Sequence, residues 1–440
     1  MEKRTIFSAK VLSLLGVVAI LLILLIGFLL SPDVLPGWSR CYTFGDRGML
    51  NYPITLVSTS NDHVYAVWDS DIGFYYAKIE NGSVVKRALI RDADGSRIDN
   101  FHERYGAVVN LNNSLVVISP TSTESISFTE SPLMLYTQID EDGNQTKKVF
   151  YADTPFISSS LAGVAVDENN MVHICHILRP DYSSPLELSY MVVDGDTLAL
   201  IRRSTISLNG FELQTPKLLI LNEIPCLFII SGEKVRYLPL NQNSTPEMII
   251  LNQSLSYYYY HDICMGPEDD FYVLGILDDG SSQLTLTKVS INGSILWTQR
   301  IGNPIDSSRG ALAVDNQGQV HIVWEDSPII RYSCVNGTSG KILIDGINLT
   351  PKSRWGFFSL SPSLVVDTKG YVHVGWVEVT VGCFHQDQGY VHYRTTAQPN
   401  DYSDLMFSHY FGLGSIVLAE VIILTVLHIY RKRKLNRPFT

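Results

Sequence analysis

Three histidines stand six positions after an aspartate: His173 after Asp167, His321 after Asp315, and His373 after Asp367. An Asp–His pair can serve a general base or a metal ligand, so this spacing is the first place to look for chemistry. Two of the pairs sit in longer copies of one pattern, D-x-x-G-x-x-H-x-x-W, at residues 315–324 and 367–376. The Asp and Gly of that pattern read as a turn, and the His and Trp as one strand. Equivalent positions in separate repeats are held apart, so the three imidazoles are not expected to converge on one ion. The expectation is a buried, satisfied histidine, hydrogen-bonded to a neighbouring strand or to the turn aspartate. His176 follows His173 by three, which on a strand points it the opposite way.

Other residues carry weaker chemistry. Acidic turns at 92–95, 140–144, 194–196 and 278–280 could hold calcium, but their spacing misses the EF-hand, and Asp-Gly turns form without an ion. No cofactor is expected, and calcium is the one left open. Four consecutive tyrosines, Tyr257, Tyr258, Tyr259 and Tyr260, could form a stacking platform for a sugar or a protein. The bland reading places alternate tyrosines between sheets. An irregular insertion at 382–388 adds Phe384, His385 and Asp387 as ligand-binding candidates. No nucleophile elbow, P-loop, H-E-x-x-H or dinucleotide fingerprint occurs.

The elements that must position these groups come from repetition. Weaker copies of the pattern lie at 167–176 and 59–68, and apolar strands at 115–119, 225–230 and 271–276 fit the same frame. The spacing is roughly 50 residues, in the range of propeller repeats. A tyrosine recurs on the following strand as Tyr76, Tyr136, Tyr190, Tyr237, Tyr332 and Tyr393, with Thr287 near that place in the fifth copy. Seven repeats of four short antiparallel strands predict an all-β, seven-bladed β-propeller over residues 38–396. The last repeat lacks a fourth strand, and an orphan strand at 38–44 is expected to supply it and close the ring. Chain entry and exit then fall on one face, and the blade-to-blade loops on the other.

The repeat resembles those of sialidase-like and related extracellular propellers found in membrane-anchored or secreted microbial proteins. The likeness covers roughly residues 38–396 and implies the propeller fold. It does not imply sialidase activity. The S-x-D-x-G-x-x-W box is not present as such, and no arginine triad with a Tyr/Glu pair can be assigned.

Two uncharged apolar stretches flank this region, at residues 11–30 and 411–430, the second interrupted only by Glu420 and His428. Each is long enough to cross a bilayer core of about 30 Å. Lys3, Arg4 and Lys10 precede the first; Arg431 to Lys434 and Arg437 follow the second. The positive-inside rule makes 1–10 and the basic tail 431–440 cytoplasmic and the propeller extracellular, joined by linkers at 31–37 and 397–410. No A-x-A-like site follows the first stretch, which favours an anchor over a cleaved signal peptide. Eight sequons, at Asn81, Asn112, Asn144, Asn243, Asn252, Asn292, Asn336 and Asn348, suit a glycosylated cell-surface domain. Glu420 lies deep in the second stretch, just after the small residues Ser415 and Ala419, which points to a partner helix.

The formal net charge is −11, although the flanks are basic. An acidic body argues against nucleic acid as a partner. Six scattered cysteines without C-x-x-C make no disulfide framework, though Cys41 and Cys383 fall in the same blade. The reading is a two-pass membrane protein displaying a propeller for ligand or protein binding and adhesion, with binding preferred to catalysis. The alternatives are a carbohydrate-active glycosidase or lyase at the channel mouth, and an accessory subunit of a membrane complex.

Overall fold

The computed structural model describes residues 35–397 apart from 36, 40, 44–53, 71–72, 92–104, 120–131, 152–157, 182, 209–213, 232–233, 241–248, 251–256, 269, 278–282, 305–308, 327, 351–356 and 381–388. The chain divides into two units, and Cys41–Gln398 forms one of them. No helix among the described residues is long and apolar enough to cross a membrane. Both expected membrane stretches lie outside the described residues.

Strand β1 (Tyr42–Thr43) comes first and stands apart. The first blade is β2 (Thr55–Ser58), β3 (His63–Ser70), β4 (Gly73–Glu80) and β5 (Ser83–Ile90). The second is β6 (Gly106–Val109), β7 (Leu115–Ser119), β8 (Pro132–Ile139) and β9 (Gln145–Tyr151). The third is β10 (Ser158–Val166), β11 (Met171–Arg179), β12 (Glu187–Asp194) and β13 (Leu200–Ser207). The fourth is β14 (Gln214–Leu221), β15 (Ile224–Ser231), β16 (Lys234–Pro239) and β17 (Ile249–Ile250). The fifth is β18 (Tyr257–Met265), β19 (Phe271–Leu277), β20 (Gln283–Val289) and β21 (Ile295–Pro304). The sixth is β22 (Gly310–Val314), β23 (Gln319–Asp326), β24 (Ile329–Asn336) and β25 (Ile342–Asn348). The chain ends its strands with β26 (Phe357–Val366), β27 (Val372–Thr380) and β28 (Gly389–Thr395).

Each blade is one four-stranded antiparallel sheet, and the seventh reads β1-β28-β27-β26. The first strands of the blades adjoin in a closed ring, from β2 through β6, β10, β14, β18, β22 and β26 back to β2. Seven sheets on one ring are a β-propeller. Closure is made by β1, whose Tyr42 and Thr43 stand opposite Tyr393 and His392. Among the described residues, the expected strand at 38–44 is corrected to those two. Upstream, the Trp38 N–H donates to the Leu35 carbonyl and Gly37 takes φ +77°, so the chain there turns instead of extending. Side chains also hold the closing strand: Thr43 Oγ1 and Cys41 Sγ lie 3.1 and 3.4 Å from His392 Nδ1. The His392 ring stacks on Trp376.

The core lies between blades, which explains why middle strands such as β7 are apolar on both faces. Val67 and Phe74 of the first blade, for example, pack with Leu115, Val117 and Leu135 of the second. The recurring tyrosine of the third strands is found in six blades. In the fifth, the register opposite Leu274 places Leu286 there, one residue before the expected Thr287, as the opposition of Val323 and Tyr332 in the sixth blade shows.

The two faces of the disc differ. One carries the hairpins between first and second and between third and fourth strands, and it is called the turn face here. The other, the loop face, is where the first and third strands begin and the second and fourth end. β1 starts and β28 ends at the turn face, so both ends of the propeller leave there. The turns are laced together around the ring. Asn113 Oδ1 accepts the Ser60 N–H of the blade before it, and Asn170 Oδ1 accepts the Leu111 N–H of its own predecessor. Asp62 accepts the Thr368 hydroxyl in the same way. Asn113, Asn170 and Asp62 have φ of +59°, +60° and +61°, in the region where Asn and Asp are the most tolerated side chains after glycine. Gly318 and Gly370 fill the same turn position in the sixth and seventh blades with φ +74° and +83°.

Candidate functional site

The Asp–His pairs resolve into three copies of one clasp. Asp315 Oδ1 accepts the N–H groups of Gln317 and Gln319, which shapes the turn. Its Oδ2 lies 3.2 Å from His321 Nε2, and His321 Nδ1 lies 2.8 Å from the Tyr332 hydroxyl. Asp167, His173 and Tyr190 repeat this at 3.2 and 2.7 Å. Asp367, His373 and Tyr393 repeat it at 3.1 and 2.5 Å. A neutral imidazole fits this chain: Nε2–H donates to the carboxylate and Nδ1 accepts from the phenol. Burial pushes the pKa of His173 and His321 down, against the pull of the aspartate. Each clasp ties a turn and two strands of its own blade, so the buried, satisfied imidazole is what the structure contains.

His176 occupies the strand position that holds Trp68, Trp324 and Trp376 in other blades. It is buried, and its pKa falls to about 3, through desolvation first and Arg203 second. No group of three His, Cys, Asp or Glu among the described residues could hold a metal ion. Two acidic turns are satisfied from within. Asp140 accepts from the backbone and side chain of Asn144, and Asp194 accepts from Asp196 N, Thr197 N and the Thr197 hydroxyl.

Tyr257–Tyr260 begin β18, the innermost strand of the fifth blade, at its loop-face end. Phe384, His385, Asp387, Ser415, Ala419, Glu420, Asn243, Asn252 and Cys383 lie outside the described residues. Of the other sequons, Asn81, Asn112, Asn144 and Asn292 are exposed in turns of the turn face, with Asn336 half-buried there. Asn348 is exposed at the opposite end of β25.

Charged groups that sequence reasoning missed lie on or next to the inner strands of the fourth to sixth blades. Lys217 Nζ meets Asp262 Oδ1 at 2.5 Å, and Asp262 Oδ2 accepts the Leu312 N–H at 2.8 Å. One carboxylate thereby links the inner strands of three consecutive blades. A register shift between Tyr260 and Asp262 aims it there. Nearer the loop face, Glu325 is buried at the end of β23 and accepts the Ser361 and Arg309 N–H groups. Arg309 Nη1 donates to Ser361 Oγ at 2.7 Å. Ser361 holds φ +52°, an unusual backbone for a serine, at a bulge in β26. Burial raises the Glu325 pKa, partly offset by the two N–H groups and the Arg309 charge. The available signal was an acid directly after a strand tryptophan, as in Trp324–Glu325 and Trp68–Asp69. Chemically, these groups offer an ion pair midway along the inner strands and, toward the loop face, a guanidinium beside a buried carboxyl.

The fold is an all-β, seven-bladed propeller with four-stranded blades. Among solved structures it is similar to a polysaccharide lyase, Uly1, at 7% identity over 81% of this chain and 98% of that one, with a TM-score of 0.50. A streptogramin B lyase is similar at 9% identity over 81% and 98%, with a TM-score of 0.47. The NanB sialidase from Streptococcus pneumoniae is similar at 10% over 81% and 70%, with a TM-score of 0.42. No family model matches the chain, and no curated protein matches its sequence. At these identities the likeness concerns the fold.

Proposed function

We propose that this chain is a two-pass membrane protein that displays its propeller outside the cell and binds a ligand or protein with the loop face. The observation that carries the reading is the segregation of the two faces. Short laced turns and both ends of the propeller occupy one face. The start of the tyrosine strand and the Arg309–Glu325–Ser361 group lie toward the other, between strands whose connections are longer in sequence. Binding sites concentrate on loops held by a rigid scaffold, and the closed ring is such a scaffold. The apolar stretches 11–30 and 411–430, with their basic flanks, support the two-pass anchor. Glu420, with Ser415 and Ala419, supports a partner helix in the membrane.

The test uses the full chain in lipid nanodiscs, probed against a glycan array and by crosslinking to surface proteins of its own cells. Binding should weaken in Arg309→Ala. A ligand captured equally well by a loop-face variant and the unaltered chain would remove the loop face from the reading. Protease added to intact cells should digest the propeller and spare tags at both termini.

A second reading, a carbohydrate-active enzyme, is favoured by the buried Glu325 carboxyl beside Arg309. A carboxyl with a raised pKa suits a general acid. Turnover of a glycan that disappears in Glu325→Gln, with ligand binding intact, would establish it.

A further inference from the structure

The strand that closes the ring also brings a sulfur to a base. Cys41 directly precedes β1, and alternation along a strand sends its side chain to the same face as that of Thr43. Opposite Thr43 stands His392, and opposite His392 on the next strand stands Trp376. Glu378, two residues after Trp376 on β27, shares that face. Cys41 Sγ lies 3.4 Å from His392 Nδ1, within reach for a sulfur donor, and Thr43 Oγ1 lies 3.1 Å from the same nitrogen. On the other side of the ring, His392 Nε2 lies 3.7 Å from Glu378 Oε2 and has no hydrogen-bond partner among the described residues. The imidazole is buried and lies against Trp376, with ring centroids 5.5 Å apart and planes 20° apart.

Thiol, imidazole and carboxylate in that order are the parts of an activated sulfur nucleophile. A neutral ring accepts from the thiol at Nδ1 and carries its proton at Nε2, toward Glu378. When Nδ1 takes the thiol proton, the imidazolium stands between the new thiolate and the Glu378 carboxylate, an opposite charge on each side. The first and sixth blades do not repeat the arrangement at this register: Tyr75 stands opposite Trp68, and Arg331 opposite Trp324. The other described cysteines are kept protonated by burial. It raises the thiol pKa of Cys175 and Cys264, of Cys226 to about 12 and of Cys334 to about 11. Cys41 is half-buried, which leaves it partly open to solvent.

We propose that Cys41 is a reactive thiol that exchanges with disulfides, with His392 as its base and Glu378 facing the imidazolium. The thiol proton passes to His392 Nδ1, and the thiolate attacks one sulfur of a disulfide RS–SR′. A bond forms between Cys41 Sγ and that sulfur, the RS–SR′ bond breaks, and R′S⁻ leaves with the electron pair. His392 Nδ1 then returns the proton to give R′SH. Cys41 is thereby oxidised to a mixed disulfide and the departing sulfur is reduced, with no further reactant. Exchange of this kind needs a thiolate, a proton for the leaving sulfur and access, all of which this group provides.

The test uses the full chain in nanodiscs, reduced and then stripped of reductant, with peptide mass analysis to follow each cysteine. Iodoacetamide at about pH 6.5 should alkylate Cys41 about ten-fold faster than in His392→Phe, which keeps a ring on Trp376 but removes the base. Glu378→Gln should slow the reaction less, about three-fold. Oxidised glutathione should add one glutathione per chain, on the Cys41 peptide, at a rate that falls in the same two variants. Equal alkylation rates in the unaltered chain and a His392→Phe chain with a matching melting curve overturn the proposal. If that variant does not fold, the unaltered chain decides: a Cys41 rate that follows free glutathione from about pH 6 to 9 overturns the base. A native chain in which Cys41 is bonded to another of its own cysteines also overturns the proposal. Fast alkylation without a glutathione adduct overturns the exchange.

Discussion

Tyr42 and Tyr393 stand opposite each other in antiparallel register, with ring centroids 6.3 Å apart, and join the two ends of the propeller. Every other blade is built from consecutive strands. The seventh alone borrows its outer strand from the start of the chain. Closure of the ring among the described residues therefore rests on a strand of two residues.

Tyr42→Ala should lower stability by about 1 kcal/mol, the size of an aromatic cross-strand contact. Thr43→Pro should do more harm, because proline cannot donate to the ladder that covers β28. Chemical denaturation measures both, and light scattering should show the Thr43→Pro chain associating through its opened edge.

Removing a clasp aspartate should cost more than removing its tyrosine hydroxyl. Asp315→Ala leaves two turn N–H groups and His321 Nε2 without their acceptor, and the expected loss is about 2–3 kcal/mol. Tyr332→Phe removes one hydrogen bond and should cost about 1 kcal/mol. Equal losses from equilibrium unfolding would show that the turn does not depend on the carboxylate.

Acidification should destabilise the propeller through its buried histidines before most carboxylates titrate. His173, His321 and His176 have folded pKa values depressed below the ordinary 6.5, His176 to about 3. The unfolded chain takes up these protons first, so their stabilisation is complete above about pH 6.5 and is lost as pH falls below it. Glu325, whose pKa is raised, acts in the opposite sense: its contribution is present below about 4.5 and fades as pH rises through its folded value. Denaturation midpoints between pH 6.5 and 4.5 should fall with pH, and less steeply in His176→Leu. An unchanged slope in that variant would discard His176 as a contributor.

Asp262→Ala should cost about 2 kcal/mol, since it strands the Leu312 N–H and leaves Lys217 without its partner. Lys217→Met should cost less, as that side chain is partly in solvent. In a double-mutant cycle the cost of Lys217→Met should vanish in the Asp262→Ala background if the pair is real.

Much of this architecture was legible because the signals are local. Asp315, Gly318 and His321 lie within one turn and the strand after it, so their spacing alone reports a side chain that caps two N–H groups and a position that needs positive φ. The second strands begin where the repeat places them, at His63, Leu115, Met171, Phe271 and Gln319, because alternation and turn residues are properties of a few neighbouring positions. The closing strand was legible by count, since a seventh blade with three strands needs a fourth. Its length was not, because a turn at Gly37 and Trp38 competes with extension.

The groups that join the inner strands of adjacent blades were not legible. Glu325 meets Ser361, and Asp262 meets both Lys217 and Leu312, across gaps of 36 to 50 residues. Those meetings depend on how adjacent blades are rotated about the ring, which no local pattern encodes.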